Sequence, residues 1–282
     1  VEQQVNPQYR DKPLIVIPCA TDTTSAIASS YHAKLRGVKT GTPVWEAKQL
    51  IPELIIVPAT PKLYVDYHNR IVQEVDRHMQ IDHIYSVDEF ACKLTGRYQE
   101  TLKAIQLAED IRLGIKRNVG DYLTISIGIA PNKFLAKVGT DMQKPSGLTI
   151  IHSHEVPAKL LHLKLNDLPG IATGITARLM KHGIYTMQDL YERDSSQLRR
   201  AFGSVTGERY WYLIRGIELP KQVIQRRSIS NSQVLPPDVR PVEQARFIIH
   251  RLLLKAASRL RRYELRCSEI YLSIKDEQRQ RY

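Results

Sequence analysis

Two neighbouring carboxylates, Asp88 and Glu89, are the residues of this sequence with the clearest potential for chemistry. A largely apolar and aromatic run over residues 84–87 precedes them, and Phe90 resumes the apolar pattern. On a strand the two side chains would point to opposite faces, but at a strand end or a hairpin kink both can reach one ion. Paired carboxylates in apolar surroundings are costly unless a cation compensates them. Taken alone, the pair therefore favours a hairpin turn whose two acids face water, and a metal site is the alternative.

Strands and helices that could position this pair alternate along the chain. The predicted strands are Leu14–Cys19, Leu54–Pro58, a strand or hairpin over Ile81–Leu94, Tyr122–Ala130, Leu148–Ile151 and Ser268–Lys275. The predicted helices are Ser25–Arg36, a short one after Pro43, Pro61–Gln80, Thr101–Lys116, one beginning at Pro131, Thr173–His182 and Val242–Tyr263. This order predicts an α+β fold in which helices cover a sheet.

The composition points to a polyanionic partner. The chain has 282 residues, a formal net charge of +12 and a pI of about 9.6. Such a surplus favours nucleic acid first and an anionic membrane surface second, and no apolar run approaches the length of a membrane span. Three scattered cysteines argue against a disulfide scaffold or a zinc module and fit a reducing cytoplasm.

Several basic positions could contact phosphates. Tyr31 and Lys34 lie three residues apart and so share one helix face, although the spacing alone favours an ordinary half-exposed pair. The Pro-Gly hairpin at Gly170, between two short helices, could offer backbone amides to a phosphate, with a plain helical hairpin as the alternative. Residues 222–240, with Arg226 and Arg227, read as a basic tether.

The long helix predicted over Val242–Tyr263 has one apolar and one basic face. Arg251 and Lys255 lie on the basic face, where basic residues far outnumber acidic ones. A charged face is usually only solvated, but this imbalance favours contact with a nucleic-acid backbone.

Several short motifs follow one another in a fixed order: Val1 to Gln4 with Asn6-Pro7, Tyr31 to Lys34 with Gly37 to Gly41, Ser86-Val87-Asp88-Glu89, Gly128 to Lys133 with Leu135-Ala136-Lys137, Asp141 to Gly147, and Leu168 to Ile171. Taken together, these motifs resemble those of the Y-family (translesion) DNA polymerases, bacterial members above all, over essentially the whole chain. The resemblance implies a right-hand polymerase with a ferredoxin-like palm, small fingers, a helix-hairpin-helix thumb and a partial α/β little-finger domain. The implied domains are residues 1–60 for the fingers with a remnant of the palm, 61–152 for the palm, 153–221 for the thumb, and 222–282 for the tether and little finger.

The resemblance also implies the site. Asp88 and Glu89 would hold two Mg²⁺ ions for phosphoryl transfer, one ion activating the attacking oxygen and the other stabilising the departing pyrophosphate. Tyr31, Lys34 and Lys144 would contact the triphosphate of the incoming deoxynucleotide. Primer–template DNA would contact Gly170 and four basic residues, Arg226, Arg227, Arg251 and Lys255.

The sequence departs from the family pattern in a few places. The family's opening aspartate and its ribonucleotide-excluding aromatic residue would lie upstream of Val1, and a sliding-clamp peptide beyond Tyr282, so we expect a fragment. Lys34 stands where many members have arginine, and lysine gives up the bidentate fork. Ala172 replaces the second glycine of the usual thumb hairpin, which would weaken phosphate contact there.

The leading hypothesis is a template-directed translesion DNA polymerase acting in DNA damage tolerance, in the cytoplasm at the nucleoid. One alternative is a non-catalytic, polymerase-like DNA-binding accessory protein, which the absent opening aspartate favours. Another is a metal-dependent nuclease, which leaves Tyr31, Lys34 and Lys144 together unexplained.

Overall fold

A computed structural model describes residues 1–220 and 228–275 of the chain. The chain divides into two compact units, the first comprising Val1–Asp11 with Thr60–Lys221 and the second Lys12–Ala59 with Gln222–Tyr282. The α-helices are α1 (Glu2–Val5), α2 (Tyr31–Leu35), α3 (Val44–Leu50), α4 (Pro61–Asp76), α5 (Thr101–Asn118), α6 (Lys133–Met142), α7 (Thr173–Lys181), α8 (Met187–Glu192), α9 (Ser195–Phe202), α10 (Val205–Leu213) and α11 (Val242–Arg262). The strands are β1 (Leu14–Ile17), β2 (Ala28–Ser29), β3 (Ile55–Pro58), β4 (Ile81–Ile84), β5 (Phe90–Cys92), β6 (Ile127–Ile129) and β7 (Leu148–Ile150). Short 3-10 turns cover Pro7–Tyr9, Gly96–Gln99, Ser153–Glu155, Leu165–Asp167 and Pro237–Val239.

A three-stranded sheet in the order β2-β1-β3 organises the N-terminal part of the second unit. The apolar run of β1 is buried along its whole length, pairing in parallel with β3 and antiparallel with β2. Helices α2 and α3 contribute Ala33, Val44 and Ala47 to the core beneath the sheet. The predicted strands over Leu14–Cys19 and Leu54–Pro58 and the helix after Pro43 are confirmed, with the strands slightly shorter.

The predicted helix over Ser25–Arg36 is wrong in its first half. Residues 28–29 form β2, because Ala28 and Ser29 pair with Val16 and Ile15 of β1. Ser30 then ends the extended segment and caps α2, since its hydroxyl accepts a hydrogen bond from the Ala33 amide at 3.3 Å. A serine at this position is a usual helix start, so the signal was present in the sequence.

The strands of the first unit form two separate pairs. β4 pairs antiparallel with β5, and β6 pairs in parallel with β7. Helices α4 and α5 pack against the first pair of strands. Tyr67, Val75, Ile115 and Val119 form a buried cluster at this contact. The strand predicted over Tyr122–Ala130 is limited to Ile127–Ile129, because β7 offers only three partners in parallel register; Leu123 and Ile125 pack against the α4–α5 cluster instead.

A larger core joins α6 to the helices that follow β7. Leu135 and Val138 of α6 pack with buried side chains from α7–α10, which include Leu179, Leu198 and Phe202. The side chain of Asn132 supports this arrangement by donating to the backbone oxygens of residues 213 and 217 at 2.9 and 3.1 Å. The helix predicted over Thr173–His182 is confirmed as α7.

Helix α11 confirms the long helix predicted over Val242–Tyr263, yet it has no buried residue among those that the structure describes. Of its expected inward stripe (Ala245, Ile249, Leu252, Leu253, Ala256 and Leu260), Leu253 is exposed and the other five residues are half-buried, so the prediction is wrong for Leu253. The strand predicted over Ser268–Lys275 is absent from the described chain, where these residues are exposed and only Lys275 takes part in a bridge. The alternating pattern of residues 268–275 does not form a strand, because the described chain shows no ladder of paired residues there. No helix of residues 1–220 or 228–275 is long and apolar enough to cross a membrane.

The predicted division into four domains at residues 60, 152 and 221 stays a prediction. The two compact units group the chain more coarsely than that division.

Candidate functional site

The turn between β4 and β5 carries both carboxylates singled out in the sequence. The amides of Tyr85 and Ser86 both donate to the Glu89 backbone oxygen, at 2.9 and 3.1 Å, and so close the turn. His68 of α4 supports it from outside, with its Nδ1 atom 3.0 Å from the Val87 backbone oxygen. Asp88 is exposed and Glu89 half-buried. The pair therefore occupies a solvent-accessible hairpin turn rather than apolar surroundings.

Local hydrogen bonds orient the Asp88 carboxylate. The Ser86 hydroxyl donates to Asp88 Oδ1 at 2.5 Å, and the Asp88 amide donates back to the Ser86 hydroxyl at 3.3 Å. These two bonds hold the Asp88 carboxylate beside Ser86, and the residue is exposed. A carboxylate held in this way is suited to binding a hard cation through oxygen.

Glu89 faces α6 through an ion pair. Its Oε1 atom lies 3.4 Å from Lys137 Nζ, and the same ammonium lies 3.5 Å from Asp141 Oδ2. Lys144, in the turn that follows α6, binds the other oxygen of Asp141 at 2.5 Å. The structure thus brings the predicted residues Asp88, Glu89 and Lys144 into one region of the first unit.

A second lysine of α6 also reaches the hairpin. Lys133 Nζ lies 2.5 Å from Asp82 Oδ2 of β4. The hydrogen bond that Lys133 donates to Asp82 raises the pKa of Lys133, so this ammonium stays charged across the physiological range. Lys133 and Lys137 are four residues apart, so both lie on the face of α6 that contacts the hairpin.

The chemistry of these donors fits Mg²⁺, but the number of donors is small. Asp88 and Glu89 supply the oxygen ligands that Mg²⁺ prefers, and Mg²⁺ commonly uses one or two protein carboxylates together with substrate phosphates. Among residues 1–220 and 228–275, no group of three or more His, Cys, Asp or Glu side chains could hold a metal ion. The described residues therefore fit a metal that shares its coordination with a substrate.

Tyr31 and Lys34 belong to the second unit. They lie on one face of α2, as predicted, and the Lys34 ammonium sits 4.8 Å from the centre of the Tyr31 ring. Ser30 fixes this face, because its hydroxyl also donates to the Lys12 backbone oxygen at 3.0 Å. In this contact the exposed Lys34 ammonium lies next to the half-buried Tyr31 ring, as in a cation–π interaction.

Gly170 lies at the tip of a tight turn between the 3-10 turn at residues 165–167 and α7. Its φ of +90° favours glycine, and an added Cβ would lie 2.8 Å from the Tyr210 hydroxyl. That hydroxyl donates to the Pro169 backbone oxygen, and burial raises the pKa of Tyr210 to about 12. The turn is therefore held rigidly from beneath while Gly170 itself stays exposed.

The predicted DNA contacts outside this turn fall in two places. Arg226 and Arg227 lie outside the described residues. Arg251 and Lys255 are exposed on α11, and Arg251 donates to Gln233 Oε1 at 2.6 Å. Arg259 similarly binds the backbone oxygen of Ser230 and the side chain of Asn231, both at 3.1 Å.

Sequence reasoning missed the partners of the predicted residues. Among these partners, Asp82, Lys133, Lys137 and Asp141 have no individual role in the sequence-based prediction, although the last three belong to the motifs named there. The i, i+4 spacing of Lys137 and Asp141 was a usable signal for their contact. The contacts across to Glu89 and Asp82 depend on how α6 packs beside the hairpin, which the sequence alone does not contain.

Comparisons with known proteins give matches along almost the whole chain. Residues 1–141 match the model of the impB/mucB/samB family, residues 226–282 match that family's C-terminal domain, and residues 166–218 match the thumb domain of DNA polymerase iota. A DNA polymerase IV of Bacillus velezensis is 32% identical over 280 residues, spanning 98% of this chain and 67% of that protein. One from Moorella thermoacetica is also 32% identical, over 98% of this chain and 70% of that protein.

Solved structures give the same result. A Y-family DNA polymerase chimera superimposes with a TM-score of 0.77 at 28% identity, covering 91% of this chain and 76% of the other. The insertion ternary complex of Dbh DNA polymerase gives a TM-score of 0.67 at 31% identity, covering 78% of this chain and 64% of the other. With the fold, the site hairpin and the family models in agreement, the chain belongs to the Y-family of DNA polymerases, within the impB/mucB/samB family.

Proposed function

We propose that this protein is a DNA-directed DNA polymerase of the translesion type, which adds deoxynucleotides to a primer 3′ end during DNA damage tolerance. The observation that carries the proposal is the exposed Asp88–Glu89 turn, linked by ion pairs to the lysine-bearing helix α6 and its following turn. Family membership and relatives named DNA polymerase IV support it. A polymerase must give phosphates and a metal access to its carboxylates, and an exposed turn provides that access.

Asp88 and Glu89 are the residues that would hold divalent metal, and we propose two Mg²⁺ ions. When bound, such ions activate the attacking oxygen and neutralise charge on the transferred phosphate. Ser86 contributes by orienting Asp88 through the bond at 2.5 Å. Lys137 keeps the Glu89 side chain on the α6 side of the turn.

The residues that would contact the incoming deoxynucleoside triphosphate are Tyr31, Lys34 and Lys144. Lysine acts on phosphate as a compact point charge, which suits a flexible triphosphate. The ring of Tyr31 restricts the motion of the Lys34 side chain, because the ammonium packs 4.8 Å from the ring centre. We assign these three residues to nucleotide binding.

Primer–template DNA would be held mainly through its backbone. The exposed turn at Gly170 can approach a phosphate closely because no side chain intervenes. Arg226, Arg227, Arg251 and Lys255 would add charge along the duplex, in keeping with the net charge of +12. Binding to the sliding clamp and association with the nucleoid are further predictions from family membership.

Primer extension decides the proposal. The wild-type protein should extend a labelled primer in Mg²⁺, and Asp88→Ala should not. The matched control is Asp66→Ala, which removes another exposed carboxylate of the first unit and should retain extension. Equal extension by the wild-type protein and Asp88→Ala would refute the assignment, and DNA binding without any extension by either would favour the non-catalytic accessory.

A further inference from the structure

A line of alternating charges connects Glu89 to Lys144. Glu89 Oε1 lies 3.4 Å from Lys137 Nζ, and Lys137 Nζ lies 3.5 Å from Asp141 Oδ2. Asp141 Oδ1 then lies 2.5 Å from Lys144 Nζ. The two ends of the line are the proposed metal ligand and the proposed triphosphate contact, whereas Lys137 and Asp141 in its middle contact neither ligand in the function proposed above.

Helix α6 fixes the middle of this line. Asn132 caps the helix by accepting from the Leu135 amide at 2.8 Å, and Leu135 and Val138 are fully buried on its opposite face. Lys137 and Asp141 follow each other by one helical turn, so their spacing is set by the backbone. Only their side chains can adjust, and the side chains of all four residues keep between 32% and 41% of their exposure.

The distances show that Lys137 is shared between two carboxylates. Its ammonium is nearly equidistant from Glu89 and Asp141, at 3.4 and 3.5 Å, and neither contact is as short as the 2.5 Å between Asp141 and Lys144. An ammonium in this position responds to any change of charge at either carboxylate, because Coulomb energies vary steeply over these distances.

We propose that Lys137 and Asp141 are positioning residues that couple cation binding at Glu89 to phosphate binding at Lys144. This inference rests on the proposed function. When Glu89 binds a cation, Lys137 is repelled towards Asp141, and Asp141 then holds Lys144 less strongly. Lys144 becomes more available to a triphosphate, and by thermodynamic reciprocity a bound triphosphate favours the cation at Glu89.

The coupling predicts changes of opposite sign for two single substitutions. Lys137→Gln removes the ammonium that competes with a cation at Glu89, so cation binding becomes tighter. It also removes the lysine that competes with Lys144 for Asp141. Asp141 then holds Lys144 more strongly, so nucleotide binding becomes weaker. Asp141→Asn directs Lys137 to Glu89 and removes the ion pair between Asp141 and Lys144, so cation binding weakens and nucleotide binding strengthens. We expect changes of about threefold, because the side chains are partly solvated.

The experiment measures the two binding constants separately. Mn²⁺ binding to the purified protein is followed by the electron paramagnetic resonance signal of free Mn²⁺. Binding of a deoxynucleoside triphosphate to the protein–primer–template complex is followed by calorimetry in Ca²⁺, so that neither readout requires catalysis. Lys137→Arg keeps the charge and should behave like the wild-type protein. Lys133→Gln removes the other ion pair between α6 and the hairpin and should change neither constant.

Opposite shifts in the two variants, absent from Lys133→Gln, would support the coupling. Parallel losses in both constants would identify a merely structural role and overturn it, as would unchanged constants or absence of Mn²⁺ binding by the wild-type protein. Melting temperatures of all variants show whether a loss reflects unfolding. Failure of the proposed function is distinct, since it would appear as primer extension that does not depend on Asp88.

Discussion

The β4–β5 hairpin and the β6–α6–β7 layer lie side by side in the first unit, yet they are held by different forces. The hairpin turn is exposed at Asp88 and is fixed by backbone hydrogen bonds, the Ser86–Asp88 bond and ion pairs to α6. The neighbouring layer is fixed by packing, with Leu135, Val138 and Ile151 almost fully buried. The difference indicates that this unit separates ligand-binding groups from the packed scaffold that positions them.

The largest expected effect is on activity at the hairpin. Asp88→Asn should reduce the rate of primer extension about a thousandfold or more, because a metal ligand contributes several kcal/mol to transition-state stabilisation. The free energy of unfolding should change by less than about 0.5 kcal/mol, since the side chain is exposed. Single-turnover kinetics and urea denaturation measure the two quantities. A large loss of stability would contradict the division between hairpin and scaffold.

The complementary change is Gly128→Ala in the packed layer. An added Cβ would overlap the Ala136 backbone oxygen and lie 2.9 Å from the Thr140 amide, because α6 approaches β6 closely at this point. We expect a loss of about 3 kcal/mol in the free energy of unfolding. Gly174→Ala in α7 is the matched control: nothing lies within 4 Å of its Cβ position, and it should be neutral or slightly stabilising. Equal stability of both variants would show that α6 and β6 do not pack as described.

A buried carboxylate extends the comparison. Glu74 of α4 is 3% exposed and binds Arg77 at 2.7 Å and Asn118 of α5 at 3.0 Å. Burial opposes its ionisation, but the hydrogen bonds from Asn118 and His78 and the charge of Arg77 prevail, so its pKa lies below the usual 4.5. In contrast to the hairpin acids, Glu74 links two helices of the scaffold.

The lowered pKa of Glu74 has a defined consequence for stability. The ionised group stabilises the fold above pH 4.5, and that contribution is lost as the pH falls through the lower folded pKa. In Glu74→Gln the unfolding free energy should therefore be lower than in the wild-type protein at neutral pH and should fall less between pH 5 and pH 3. Denaturant titrations across this range test it. Parallel pH profiles for the two proteins would refute the assignment.

The smallest expected effect concerns α11, whose exposed basic face resembles the hairpin in lacking buried residues. If Arg251 and Lys255 contact DNA phosphates, neutralising both to Gln should reduce the slope of log affinity against log salt by about 1 to 2. Lys103→Gln, on the exposed side of α5, should leave the slope unchanged. Fluorescence anisotropy at several salt concentrations gives the slopes. The same slope in all three proteins would mean that the α11 face is only solvated.

Much of the secondary structure was predictable because its signals are local. Apolar residues recur about once per helical turn in the sequences of α4 and α5, and both segments are helices in the structure. Their observed ends differ from the predicted ends by only a few residues. Errors occurred where pairing with a distant segment decides the structure. Residues 28–29 become a strand only because β1 lies beside them, and residues 268–275 keep an alternating pattern without pairing as a strand in the described chain.

The ligand-binding residues proposed for the site could be predicted from the sequence, but the ion pairs that connect them could not. Asp88, Glu89 and Lys144 were identified from short motifs, whereas the contacts of Lys137 and Asp141 were not. The ion pair between Lys137 and Glu89 joins residues 48 positions apart in the chain, and such a contact depends on the packing of α6. The role of Glu74 was missed for the same reason, because a glutamate within an amphipathic helix gives no sign that it is buried.

The sequence by itself determined the chemistry of this protein: two adjacent carboxylates, a basic surplus, and lysines placed one helical turn apart. These follow from residue type and from the fixed geometry of a single helix or turn. Only the tertiary structure decided which charges meet, that the carboxylates face solvent, and that one lysine lies between two acids. The physical reason is that packing of buried apolar faces, such as that of Leu135 and Val138, sets the distance between elements that are remote in the chain.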